Sequence, residues 1–230
     1  ALTIWRRRGD FDASLIAGEV AVRQAMAARE GPVILVDVAD NAGGGAPGDG
    51  TTILAELLDQ DARGAVIVLC DPEAARAAKA LGVGTIFAAS VGSKVDDLHG
   101  PAVPLVGDII FQEPVSYHRQ GDYMTGQQID LGEVAVIQAG GVTVMLTERK
   151  ALPFDADHLA AAGIVAAAQQ IIVVKSAIAW QAHFREFAKG EIYVDTPGVC
   201  ASNLKRFDYT KLEWDIYPIA DDGKWPAKGP

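Results

Sequence analysis

Cysteine is nearly absent from this 230-residue chain. Cys70 and Cys200 stand alone, too few for a disulfide framework and too far apart for the close thiolate spacing of a structural zinc site. They read as reduced core thiols. Positive charge is scarce and scattered: only Arg6-Arg7-Arg8 forms a cluster, in a chain of formal net charge -10. No basic surface for nucleic acid or anionic lipid is therefore expected. No apolar run approaches the roughly 18 to 20 residues needed to span a bilayer, and the amino end lacks a signal-peptide h-region. The expectation is a soluble, cytoplasmic protein. His99, His118, His158 and His183 lie far apart with no H-E-x-x-H pattern, so no metal site is expected from this chain alone. The chain also lacks a P-loop Lys-Ser/Thr ending, a clean G-x-G-x-x-G with a downstream acid, and a G-x-S-x-G nucleophile elbow.

What is present is apolar. Half the residues are hydrophobic and 22% are charged, enough to bury a sizeable core and to exclude disorder. Apolar runs at 33–38, 65–70, 84–89 and 171–174 alternate with helical stretches at 14–29, 51–61, 71–82, 157–170 and 176–189. That alternation predicts βαβ units and a mostly parallel sheet flanked by helices. Ser14, Asp71 before Pro72, and Ser176 are expected N-caps, with Gly31 as a helix stop. Between Pro101 and Glu148 the character changes. Runs at 103–111, 133–138 and 142–147 read as strands without intervening helices, with a Gly140-Gly141 hairpin and an exposed polar loop at 120–128. The fold class is α/β with an antiparallel β excursion in the middle. A final strand at 191–194 leads to a Thr196-Pro197-Gly198 turn, and one domain over 1–219 is followed by a loose tail at 220–230.

The most informative stretch is Asp40-Asn41-Ala42-Gly43-Gly44-Gly45-Ala46-Pro47-Gly48-Asp49, between the apolar strand and the helix start at Thr51-Thr52. Three readings compete. It is a strand-to-helix turn capped by Asp49 or Thr51, or a phosphate cradle at a helix N-terminus, or a loop that projects Asp40 and Asn41 into an active site while its glycines let substrate approach. Asp40 and Asp49 would repel phosphate, which weighs against the cradle. Lys175 and Ser176 end another apolar strand, where Lys175 would meet an anionic group and Ser176 would cap the next helix. His183 borders the face shared by Trp180, Phe184 and Phe187, a setting in which histidine is more often packed than a ligand.

Taken together, the Asp37 to Asp49 string, Asp71-Pro72, Gly82-Val83-Gly84, Val174-Lys175-Ser176, His183-Phe184 and Asp195-Thr196-Pro197-Gly198 resemble the carboxyl-terminal domain of the microcystinase C (MlrC-like) zinc metallopeptidases. The resemblance spans nearly the whole chain, and its first block is specific. It implies zinc in the full-length enzyme, with the ligands on a preceding amino-terminal domain as partner and no cofactor in this chain alone; the start at Ala1 without Met is expected of such a piece. It further implies a peptide or amide small-molecule substrate and an isolated chain without activity. Asp40 and Asn41 would be catalytic in an interdomain cleft. Gly43, Gly44, Gly45, Asp49, Lys175, Ser176 and His183 would contact substrate. Replacing Asp40 or Asn41 by Ala is expected to leave folding nearly intact. The alternatives are a module that binds a small anionic ligand such as phosphate or nucleotide, and a regulatory or oligomerisation domain without a site of its own. A homo-oligomer is compatible with all three. Two departures from the resemblance stand out: Glu213-Trp214-Asp215 lies where a basic Arg-Pro element would precede Tyr217-Pro218, and the loop at 116–128 carries no strong family pattern.

Overall fold

The computed structural model describes residues 2–153, 155–212 and 216–220. In chain order, helix α1 (Leu2–Arg6) is followed by strand β1 (Ile16–Ala17), helix α2 (Gly18–Ala27), β2 (Val33–Asp37), α3 (Thr52–Asp59), β3 (Ala65–Cys70), α4 (Pro72–Leu81) and β4 (Ile86–Val91). Next come β5 (Val103–His118), β6 (Gln128–Ala139), β7 (Val142–Thr147), α5 (Asp157–Ala160), β8 (Ile171–Val174), α6 (Gln181–Phe184) and β9 (Gly190–Asp195). The strands form one nine-stranded sheet in the order β1-β9-β2-β8-β3-β7-β6-β5-β4. Pairings from β1 through β7 are parallel, and β7-β6-β5-β4 is antiparallel.

The sheet has an apolar layer on each face, and the central strands feed both. Val33 and Leu35 of β2 and Ile171 and Val173 of β8 join Ala21, Leu54, Leu57 and Ala75 of the helices in one core. The alternate residues Ile34, Val36, Ile172 and Val174 join Trp180, Phe184 and Leu159 in the other. Strands buried on both faces read as continuous apolar runs, which is why they were legible in the sequence. The carboxyl ends of β2, β8, β3, β7 and β9 consequently lie along one rim, where α/β sheets place ligands.

Several expected boundaries move. The segment 103–111 extends as β5 to His118, and 133–138 extends back as β6 to Gln128. Pro114 is tolerated in β5 because β4 pairs only as far as Asp108, leaving the rest of β5 an edge strand. Ser14 does not cap α2: Ile16 and Ala17 first pair with β9, and the helix begins at Gly18 with no side-chain cap. The helix expected at 157–170 is broken, because Gly163 at φ 76° leaves the right-handed region between α5 and a short 3₁₀ turn (Ala166–Ala168). Ser176 starts no helix; only the single turn α6 forms in 176–189, where Trp180 is pulled fully into the core. The cap at Asp71, accepting from Ala74 N at 2.9 Å ahead of Pro72, is as expected. The tail beyond Ala220 and the segment Glu213 to Asp215 lie outside the described residues.

Candidate functional site

At the strand-end rim, Lys175 follows β8 and is buried, with 4% of its side chain exposed. Its ammonium donates to Asp40 Oδ2 at 2.8 Å, Asp37 Oδ2 at 3.3 Å and the Gly50 carbonyl at 2.7 Å, so all three N–H bonds are used. Asp37 is the last residue of β2; its other oxygen accepts from Thr196 Oγ1 at 2.6 Å and Asp40 N at 3.2 Å. Asp40 accepts from Gly48 N at 2.8 Å and Gly50 N at 2.7 Å, clamping both ends of the turn that leads into α3. Burial raises the Asp40 carboxyl, but the Lys175 ammonium and these N–H donors outweigh it and hold it below the ordinary carboxylate range. Burial likewise opposes the Lys175 charge, and the two carboxylates overcome it and push its pKa up. The position of the glycine loop is thus set from beneath by one buried ion cluster.

His99 completes the cluster. Its Nε2 accepts from Val199 N at 3.3 Å and lies 3.7 Å from Asp40 Oδ1, while Nδ1 contacts Asp96 Oδ1 at 2.7 Å. With Nε2 turned to the Val199 amide, Nδ1 is the ring nitrogen left to donate to Asp96.

Asp40 is therefore corrected from a cleft residue to a buried one: its side chain is 1% exposed and every oxygen has partners. Lys175 and Ser176 are also buried rather than exposed at the rim, and Asp49 is buried with Oδ2 accepting from Lys94 N and Val95 N at 2.8 and 3.1 Å. The loop surface consists of Gly43, Gly44 and Gly45, which are exposed. Its amide groups point inward: Gly43 N donates to Asn41 Oδ1, Gly44 N and Ala46 N to Asn41 O, and Gly45 N to Ala42 O. A phosphate cradle requires those N–H groups to be free, so the loop lacks its donors. Asn41 is half-buried. Its Oδ1 is fixed by Gly43 N at 3.0 Å, and its Nδ2 has no hydrogen-bond partner among the described residues. His183 is elsewhere. It packs on Phe184 and Phe187, accepts from Ala156 N at 3.4 Å and, with Gln120, Asp122, Asp157 and Glu186, borders a separate hollow of about 250 Å³.

Sequence reasoning missed Asp37, His99 and His158. Asp37 and Lys175 carry a readable signal, since opposite charges ending two apolar strands have to meet if those strands lie side by side. His99 and His158 are isolated in the sequence and carry none. His158, on α5, is buried beneath the loop. Its Nδ1 lies 3.2 Å from Tyr117 Oη, and its Nε2 has no hydrogen-bond partner among the described residues. Burial, with the Arg119 charge, pushes its pKa down to about 4. It lines a cavity of about 20 Å³ whose other walls include Ala42 and Gly48 of the loop, Cys70, Thr147 and Lys150.

A strand-end loop held by internal ion pairs, on a mixed sheet with an antiparallel flank, defines a class of α/β domain, and the chain can be placed within it. Residues 35–211 match the family described as MlrC C-terminus, and the chain belongs to that family. It is 32% identical over 175 residues to Microcystinase C of a Sphingomonas species, a match covering 75% of this chain and 34% of that relative. A crystal structure of a Mesorhizobium sp. BNC1 protein assigned as a metallopeptidase aligns with a TM-score of 0.78 at 29% identity, covering 94% of this chain and 43% of that one. The chain spans less than half the length of either relative. The described side chains of this chain do not fit a metal ion. Asp37 and Asp40 share the Lys175 ammonium, both nitrogens of His99 are engaged, and no three His, Cys, Asp or Glu side chains converge as ligands among the described residues.

Three outcomes test this geometry. Asp40→Ala leaves Lys175 short of a buried counter-charge and should destabilise the fold by about 3–5 kcal/mol in urea titrations, correcting the expectation of a nearly intact fold. Gly45 sits at φ 104° and a Cβ on Gly44 would lie 2.7 Å from Cys200 Sγ, so Gly45→Val should cost about 1–2 kcal/mol in backbone strain and Gly44→Val should displace Cys200. Both should lower the melting temperature. Because His158 binds its proton more weakly folded than unfolded, its contribution is complete above its ordinary pKa of 6.5 and is lost as pH falls toward 4. The loss should approach about 3 kcal/mol across that window, and His158→Phe should flatten this part of the stability profile.

Proposed function

We propose that this domain is the carboxyl-terminal part of an MlrC-like metallohydrolase acting on an amide bond of a peptide or small-molecule substrate. Its glycine loop forms one wall of a site shared with an amino-terminal domain. Family membership over residues 35–211 and the metallopeptidase assignment of the Mesorhizobium relative support the reaction class. The fraction of each relative that this chain spans supports a second domain. The family's metal, taken as zinc, belongs on this reading to the other domain, and this chain alone is inactive.

The observation that carries the reading is Asn41. Its Oδ1 is locked by Gly43 N, so its Nδ2 is a fixed, uncharged donor at the strand-end rim without an acceptor among the described residues. A donor held in place before reaction stabilises the negative charge that develops on a substrate carbonyl oxygen. Asp40, Asp37 and Lys175 act through the loop: they position Asn41 and touch no substrate. Gly43 to Gly45 present a surface without side chains against which a backbone-like substrate lies. A second reading, a regulatory or oligomerisation domain, is favoured by the burial and full pairing of Asp40. The small-anion reading has lost its cation, since Lys175 is saturated.

The discriminating variant is Asn41→Asp in the full-length protein, which keeps the acceptor for Gly43 N and removes the donor. Its melting temperature should match the parent, while kcat/KM on an amide substrate should fall on the order of 100-fold, about 3 kcal/mol. Full activity would remove Asn41 from the chemistry and leave the regulatory reading in its place.

A further inference from the structure

The cavity beneath the glycine loop has a construction that the hydrolase reading does not use. It lies at the carboxyl ends of β3, β7 and β8, walled by Val68, Val173, Ala151 and Pro153 and roofed by Ala42 and Gly48. The polar atoms on its wall are almost all committed. The Lys175 ammonium is saturated by Asp37, Asp40 and the Gly50 carbonyl, and Thr147 Oγ1 donates to Arg149 O at 3.1 Å. Lys150 spends one N–H on Ala46 O at 3.2 Å, which bridges the cavity's edge to the loop. Beside the remaining Lys150 N–H bonds, His158 Nε2 is the buried exception: the residue is 2% exposed, and this nitrogen has no partner among the described residues.

A buried imidazole nitrogen without a hydrogen bond costs about 1–3 kcal/mol, which packing alone would not retain. The volume of about 20 Å³ exceeds the roughly 10–15 Å³ that one water needs. The few uncommitted polar atoms on its wall suit a molecule of that size. Charge is excluded. A cation would face the Lys150 ammonium. An anion would feel Asp49 and Asp71, which raise the neighbouring Cys70 thiol after burial has already done so.

We propose that this cavity is a built site for one uncharged, water-sized, hydrogen-bonding molecule, which is water itself in the free domain, held by His158 Nε2 and by the spare N–H bonds of Lys150. The bound molecule connects α5 to the floor of the glycine loop. Through the contact between His158 and Tyr117, at 3.2 Å, it extends that connection to β5. The loop is thus supported at two points, by the Lys175 ion cluster at one end and by a solvated imidazole under its centre.

The test is made on the chain as it stands, labelled with ¹⁵N and ¹³C. Rotating-frame Overhauser spectra should show a cross-peak of sign opposite to the diagonal between a long-lived water and the His158 ring carbon-bound protons, and long-range ¹H–¹⁵N spectra should report a neutral imidazole with Nε2 hydrogen-bonded. Pressurising the same sample with xenon should leave the Val68 and Val173 methyl shifts unmoved, because a hydrated polar cavity does not take up the gas. Xenon-induced shifts at those methyls, with no water cross-peak, would identify a dry apolar void and overturn the proposal. An Nε2 found bonded to a protein group would overturn it equally. His158→Phe should abolish the water signal; should that variant fail to fold, the wild-type spectra decide the question alone.

Discussion

The architecture of the rim depends on a single arrangement, the Lys175 ammonium enclosed by Asp37, Asp40 and the Gly50 carbonyl. Each charge is costly to bury alone, and the cost is offset because each carboxylate oxygen and each ammonium proton finds a partner. The partners come from separate parts of the chain. Asp37 ends β2, Lys175 follows β8, Thr196 follows β9, and Gly48 and Gly50 lead into α3. The parallel order that sets β8 and β9 on either side of β2 brings these ends together. The cluster therefore reports the sheet topology in chemical form: a register error in any of these strands would strand a buried charge. Specificity of this kind is one use of buried ions that bring little net stability.

With its position fixed from below, the loop can carry a conformation that helix or sheet would not supply. Asn41 opens a 3₁₀ turn, Gly45 closes it at φ 104°, and the N–H groups of 43–46 all close back onto residues 41 and 42. The turn satisfies its own N–H groups and needs no acceptor from solvent for them. Its orientation relative to the sheet comes from Asp40, whose oxygens reach eight and ten residues ahead to Gly48 and Gly50. Local geometry and global placement are thus handled by neighbouring residues with different reach.

Much of this was legible in the sequence, for identifiable reasons. The runs that became β2, β3, β7 and β8 are apolar at nearly every position because both faces of those strands are covered, so their period and length gave them away. Asp71-Pro72 marked α4 through a local rule that tertiary packing does not override. The failures share a cause. Ser14 and Ser176 satisfy the local criterion for a cap, but Ile16 and Ala17 are drawn into pairing with β9, and Trp180 is drawn into the core. Asp40 presented the same difficulty at the site. A carboxylate at the end of a strand beside three glycines looks exposed until the partner, Lys175, is seen 135 positions away. His158 and His99 became informative only through neighbours distant in sequence.

The burial of these charges changes what the loop can recognise. Asp40 and Asp49 flank it in sequence and would have repelled any anion, yet both carboxylates face inward, one paired with Lys175 and the other accepting the amides of Lys94 and Val95. The repulsion that argued against phosphate therefore largely disappears. So does the attraction that would have argued for it, since Lys175 has no donor left and the loop amides are engaged. Within a chain of net charge -10, the exposed face of the loop carries no charged side chain: it is glycine backbone with the amide of Asn41 beside it. On the proposed reading, such a surface suits a peptide group, which carries one donor and one acceptor, better than an ion. The chemistry on the face of the loop follows from the charges hidden beneath it.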